Sequence, residues 1–291
     1  MKRLSFAIMI VAVLGCLYVL VCATDSNSKS KTPERQGWYN GIQLYGDVES
    51  VFITTYKLEG EFGEVVRGDI EHSEKFYFNK AGDVIEKADY NSDGSLSSKW
   101  VYKYDASRNM IESAFYNSNG SLAGKSIYKY NSSGNKIEAA NYNSYGSLTG
   151  KGVHKYDSSG NMIEEAWYNL DGSLAGKSIY KYNSSGNKIE DAYYNSYGSL
   201  WVRMVYKYDS SGNKIEWISY NSNGSLRERY IPKYDTLGNM IETAGYNSDG
   251  SLYSKIIYKH DTSGNVIEET EYRGEALLPE SQVVFEITYR K

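Results

Sequence analysis

The sequence predicts an all-β protein assembled from tandem two-stranded units, and three observations carry that prediction. Tyrosine returns at 90, 116, 142, 168, 194, 220, 246 and 272, so seven units of 26 residues fill 90–271. A fixed period of this length marks a repeat architecture, in which each unit is completed by its neighbours. Composition agrees: 30 Tyr and 27 Gly stand against three Pro in 291 residues, and Tyr favours strands while Gly, Asn and Ser favour tight turns. Glycine also punctuates each unit at fixed places, at 94, 120, 146, 172, 198, 224 and 250, and again at 134, 160, 186, 212, 238 and 264. A glycine kept at one turn position is explained by a backbone with positive φ, where a Cβ would clash.

Unit 90–115 (YNSDGSLSSKWVYKYDASRNMIESAF) shows the elements in order. A first turn, Asn91-Ser92-Asp93-Gly94-Ser95, leads into a strand, and a second turn, of the form Asp/Asn-x-x-Gly-Asn in most units, leads into the next. Arg108 takes the glycine position of the second turn in the first unit, so that turn is expected to be strained or of another type. Runs of about 8 to 10 residues between short turns read as antiparallel hairpins. Period-2 geometry puts Lys99, Val101 and Lys103 on one face and Leu96, Tyr102 and Tyr104 on the other. After the second turn, Glu112, Ala114 and Tyr116 share a face opposite Ile111. In a meander the Glu rows lie near the Lys rows, and the Ile, Leu and paired Tyr positions form the expected buried ladder. Residues 120–148 and 172–200 differ only at Ala139/Asp191 and Asn141/Tyr193, which points to duplication of a two-unit block.

The domain plan follows. Residues 78–271 are repeats, a half unit plus seven full ones. Residues 37–77 and 272–291 break the period but contain strand-like runs, and are expected to cap the two edges of an elongated antiparallel meander or solenoid. Residues 24–36 form a polar linker. Residues 1–23 form an export segment: Lys2 and Arg3 precede an almost wholly apolar stretch from Leu4 to Ala23. Cleavage after Val21-Cys22-Ala23 by a signal peptidase, lipidation at Cys22 or Cys16, and an uncleaved anchor of about 20 apolar residues are the three alternatives. Each implies export, to a secreted, periplasmic or envelope-anchored location, with membrane contact only through this segment.

The phrase Tyr206-Lys207-Tyr208-Asp209-Ser210-Ser211-Gly212-Asn213-Lys214-Ile215-Glu216 resembles the YD repeat of the Rhs family, and it recurs in nearly every unit across 78–271. The resemblance implies long antiparallel sheets that coil, in some members into a shell around a toxic C-terminal domain. The chain departs from that pattern: its period is longer, no self-cleavage segment is seen, and no toxin-like region precedes Lys291. Choline- and glucan-binding repeats are a weaker analogue, without their Trp-rich pattern.

Chemistry is sparse. Both cysteines lie in the export segment, leaving no disulfide or thiolate site in 24–291. His154 and His260 replace ladder tyrosines, and His72 stands alone. The turn position of Asp93 becomes Asn119, Tyr145, Asp171, Tyr197, Asn223 and Asp249, a substitution pattern unlike a calcium loop. Glu112, Glu138 and Glu164 recur once per unit, whereas a hydrolase site needs asymmetry. No catalytic residue, cofactor or metal is expected, and a net charge of −4 without a basic run argues against nucleic acid. The positions that vary offer a binding face instead: Phe115, Trp167, Tyr193, Trp201, Trp217 and Tyr253 could stack on sugars or anchor a protein. The function expected is a non-enzymatic exported scaffold or binding protein for a protein or polysaccharide, with an Rhs-type toxin-delivery or toxin-neutralising accessory as the alternative.

Overall fold

A computed structural model describes residues 35–39, 42–61, 64–274 and 276–290. The export segment, with Cys16 and Cys22, lies outside them. The described chain is all strand and turn. A small pair, β1 (Arg35–Tyr39) and β2 (Ile42–Tyr45), precedes eighteen strands joined edge to edge in one closed antiparallel barrel. The predicted linker therefore ends inside a strand, at Arg35 and Gln36.

Closure is the main departure from the elongated sheet. The flanks do not cap two separate edges; they pair with each other. β3 (Val48–Glu61) runs antiparallel to β20 (Leu278–Tyr289), with Thr54 opposite Val284 and Ile53 opposite Phe285. On their other sides β3 pairs with β4 (Glu64–Phe78), and β20 pairs with β19 (Val266–Arg273). The physical reason is the edge problem: two unpaired rows of N–H and C=O groups satisfy one another, and closure alone removes both edges. The flanking strands, with Phe78 and Val266 of the adjoining repeats, also supply the apolar cluster of Val51, Ile53, Phe76, Phe78, Val266 and Phe285, into which Leu44 and Val48 pack.

Each turn follows one plan. The glycine amide donates to the carbonyl three residues back, as from Gly94 to Asn91 at 3.0 Å, with Gly94 at φ +79°. In the second turns the leading Asp or Asn side-chain oxygen accepts from backbone amides two and four residues ahead, as Asp105 does from Ser107 and Asn109 and Asn131 from Ser133 and Asn135. Arg108 keeps the same turn at φ +66°. Its guanidinium binds Asp83 and the Ala81 carbonyl of the neighbouring turn, which offsets the left-handed backbone.

Strand register shifts at both ends of each unit. Tyr104 pairs with Met110 and Lys103 with Glu112, leaving Ile111 as a bulge; Tyr90 pairs with Leu96 and Asp89 with Ser98, leaving Ser97 as another. These bulges correct the expected ladder. Ile85, Ile111, Ile137, Ile215 and Ile241 are exposed, while Ala88, Ala114, Ala140, Ala166 and Ala192 are buried. A bulged residue leaves the regular in–out alternation. In six of the seven units, all but the last with its His260, the tyrosine just before the second turn ties one unit to the one before. The tyrosine hydroxyl donates to the carbonyl that opens the preceding strand, as Tyr130 does to Met110 at 2.7 Å and Tyr182 to Met162 at 2.9 Å.

Candidate functional site: the inner wall

The register divides each unit into two faces. One carries Lys99, Val101, Lys103, Glu112, Ala114 and Tyr116, and its equivalents are nearly constant along the chain. It is the outer wall, because the lysines in line with Lys103 keep about 60% of their side chains in solvent. Most glutamates of this row sit between two cations, as Glu138 does between Lys129 at 3.0 Å and Lys151 at 2.6 Å. The Lys103 and Lys125 ammonium groups hold Glu112 below its ordinary pKa, the Lys103 hydrogen bond being the main cause. The expected adjacency of the Lys and Glu rows is present, and the small alanines between them are buried.

The other face points inward and varies from unit to unit. It shares its side of the sheet with the apolar cluster, since Phe76 pairs with Lys87, the inward equivalent of Ser113. Its first row pairs Trp100 with Phe115, Ser126 with Asn141, Gly152 with Trp167, Ser178 with Tyr193, Met204 with Ser219 and Tyr230 with Gly245. Large side chains face small ones in most of these couples, so each ring has room to lie against the wall. Trp167 does so over Gly152, where an added Cβ would sit 3.0 Å from the indole. Trp100 and Phe115 pack at 4.7 Å between centroids.

The second inward row is polar and aromatic together. His154, buried at 4% exposure, contacts Glu165 through Nε2 at 3.0 Å. That contact, together with Tyr180, keeps the Glu165 carboxyl below its usual range against the opposing effect of burial. Asp191 is fully enclosed; it accepts from the Tyr206 hydroxyl at 2.7 Å and pairs with Lys188 at 3.0 Å. Lys214 stands over the Tyr206 ring at 4.5 Å, and Trp217 stacks on Tyr230 at 5.1 Å and 13°. The Tyr230 hydroxyl meets that of Tyr253 at 2.5 Å. Burial pushes Tyr102 up to about 12, and burial with the nearby Glu271 raises Glu269 to about 7.

The six sequence-predicted residues therefore separate. Phe115, Trp167, Tyr193 and Trp217 line the inner wall, not an outer solvated face. Tyr253 lies at a bulge and reaches inward to Tyr230. Trp201 occupies the corresponding bulge of an earlier unit and is 50% exposed. Sequence reasoning missed Trp100, Tyr230 and the His154–Glu165 and Lys188–Asp191 pairs. Their signal was available: variation between units is concentrated on one face of the register.

No family model and no curated protein matches the chain. Solved structures overlap it loosely. A porin-like protein from Bacteroides uniformis covers 83% of this chain and 98% of its own, at 7% identity and a TM-score of 0.46. A TcdB2–TccC3 assembly covers 82% of this chain at 11% identity and a TM-score of 0.36, the match spanning 16% of that chain. A putative outer membrane lipoprotein-sorting protein domain from Vibrio parahaemolyticus overlaps at 7% identity and a TM-score of 0.24, covering 82% of this chain and 86% of its own. Overlaps this loose carry no functional argument, so function is read from the residues of the chain itself.

Proposed function

We propose that this chain is an exported, non-enzymatic binding protein of the cell envelope, whose barrel interior holds a segment of polysaccharide. The observation that carries the reading is the division of the repeat: constant and charged outside, variable and aromatic inside. Indole and phenol rings lying against the wall offer flat stacking surfaces, and the neighbouring carboxylates, amides and hydroxyls offer hydrogen-bond partners for sugar hydroxyls. A barrel of eighteen strands is wide enough to enclose more than its own side chains.

The outer wall supports a barrel bathed in water. Strands of nine residues have the length of membrane-spanning ones. A lipid-facing wall, however, presents an apolar band, and a lysine or arginine at its middle costs about 2–4 kcal/mol. Here half of the outward positions in a unit are charged. Residues 1–23, with their basic start and apolar run, support export and supply the one membrane contact. The test is binding of the detergent-free protein to a polysaccharide panel, with a Trp167→Ala/Trp217→Ala variant in parallel. Saturable binding that is lost in the folded variant supports the reading; equal binding by both, or none, defeats it.

The YD-like repeat in a closed wall favours one alternative, an accessory that houses or neutralises a toxin segment. That reading expects co-purification of a defined polypeptide protected from protease by the barrel.

A further inference from the structure

The rim formed by the first turns contains a repeated exception. At its third position Asp93, Asp171 and Asp249 accept from the serine two residues on, as do Asn119 and Asn223. Tyr145 and Tyr197 cannot. In those two turns the leading asparagine takes over: Asn143 accepts from the amides of Tyr145 and Ser147, and Asn195 from those of Tyr197 and Ser199. The backbone is unchanged, with Gly146 at φ +76° and Gly198 at φ +75°. What the exchange delivers is two tyrosine rings, each 91% exposed. Both turns read Asn-Ser-Tyr-Gly-Ser and carry no charge.

One joins β9 (Lys136–Asn143) to β10 (Leu148–Tyr156), and the other joins β13 (Lys188–Tyr194) to β14 (Leu200–Tyr208). They stand four strands apart, at least about 19 Å along the rim. The turn between them carries Leu170, 66% exposed, and the exposed carboxylate of Asp171, which disfavours an anionic ligand, and Trp201 follows the second. Two exposed tyrosines in matching uncharged turns offer the same stacking surface twice. A ligand offering one group at regular intervals, without charge, is a neutral glycan chain.

We infer that Tyr145 and Tyr197 form a two-point rim site for a neutral polysaccharide, outside the barrel interior. It shares the ligand class of the proposed function but uses none of its residues. Engaging both rings makes the second contact intramolecular, so affinity should rise steeply once a chain spans the gap.

The test is calorimetric titration of the full purified chain with a size ladder of neutral β-glucan oligosaccharides. Wild type is compared with Tyr145→Ala, Tyr197→Ala, the double variant, and Trp167→Ala/Trp217→Ala. For chains longer than about 19 Å, either single rim substitution should weaken rim binding about tenfold or more, and the second should abolish it. For shorter chains each single substitution should only halve the number of rim sites. Rim variants that bind every length like wild type overturn the site while leaving an interior site intact if the Trp variant loses binding. The reverse pattern upholds the rim and defeats the interior. No binding of any glucan overturns both. Loss of sedimentation with neutral lipid vesicles, or loss of self-association, with glucan binding unchanged, reassigns the tyrosines and overturns the glycan claim.

Discussion

Replacing Asp191 by Ala tests whether the inner polar row is a structural ion-pair network. Asp191 is wholly enclosed, and its partner Lys188 has a side chain only 16% exposed. Removing one member of such a pair leaves the other charge buried alone, at a cost of about 3–5 kcal/mol. The Tyr206 hydroxyl also loses its acceptor, worth about 1 kcal/mol. Lys188 can lean towards the barrel interior, so the lower end of the range applies, about 3 kcal/mol. Backbone strain adds nothing, because the duplicated unit already carries Ala139 at this position, with Lys136 lying over Tyr128 as Lys188 lies over Tyr180. Urea unfolding is the assay. With a slope of about 3 kcal/mol per molar, the midpoint should fall by roughly 1 M. Lys188→Met in the Asp191→Ala background removes the stranded charge and should restore about 2 kcal/mol. A loss under about 1 kcal/mol, or no recovery in the double variant, would refute the ion-pair account.

Two further outcomes follow from the same wall. Glu269 has its pKa raised from 4.5 to about 7, so the folded state binds a proton that the unfolded state releases between those values. Stability is therefore greatest below about pH 4.5 on this account and falls as pH rises towards 7; above that, Glu269→Gln should be more stable than wild type by about 3 kcal/mol, with the gap closing in acid. A gap independent of pH in paired urea titrations would contradict it. Tyr182→Phe removes the 2.9 Å bond to the Met162 carbonyl and should cost about 1 kcal/mol, whereas Tyr197→Phe on the exposed rim should cost nothing measurable by the same assay.

Much of the repeat was legible in the sequence, for local reasons. Glycine spacing located the turns, and the observed positive φ values explain it. Lysine and glutamate rows predicted their own adjacency because hairpin pairing forces it. Two things were not legible. Strict period-2 counting placed Ile111 in a buried ladder, and the bulge beside Met110 that turns it out has no local signal beyond recurrence. Closure depends on β3 meeting β20, a contact between flanks more than 200 residues apart that no repeat position encodes. Once the sheet closes, one face becomes an interior, so aromatics read as solvated, such as Trp167 and Tyr193, become wall residues. Arg108 shows the opposite case: the irregular position was visible, but its remedy, Asp83 in the next turn, required the three-dimensional register.

The closed wall is the claim on which the inside–outside division rests, and a cross-link across the seam tests it most directly. Thr54 of β3 and Val284 of β20 are Cα partners on the outward face. Antiparallel neighbours of this kind stand about 4.5–5.5 Å apart, within disulfide reach. In a chain with Cys16 and Cys22 replaced by Ser, the Thr54→Cys/Val284→Cys pair should oxidise to one intramolecular disulfide under mild conditions. The product should keep the wild-type circular dichroism and unfold at higher urea. In an open, elongated sheet the two positions lie at opposite ends; a pair that stays reduced, or forms only intermolecular bonds, would contradict the barrel.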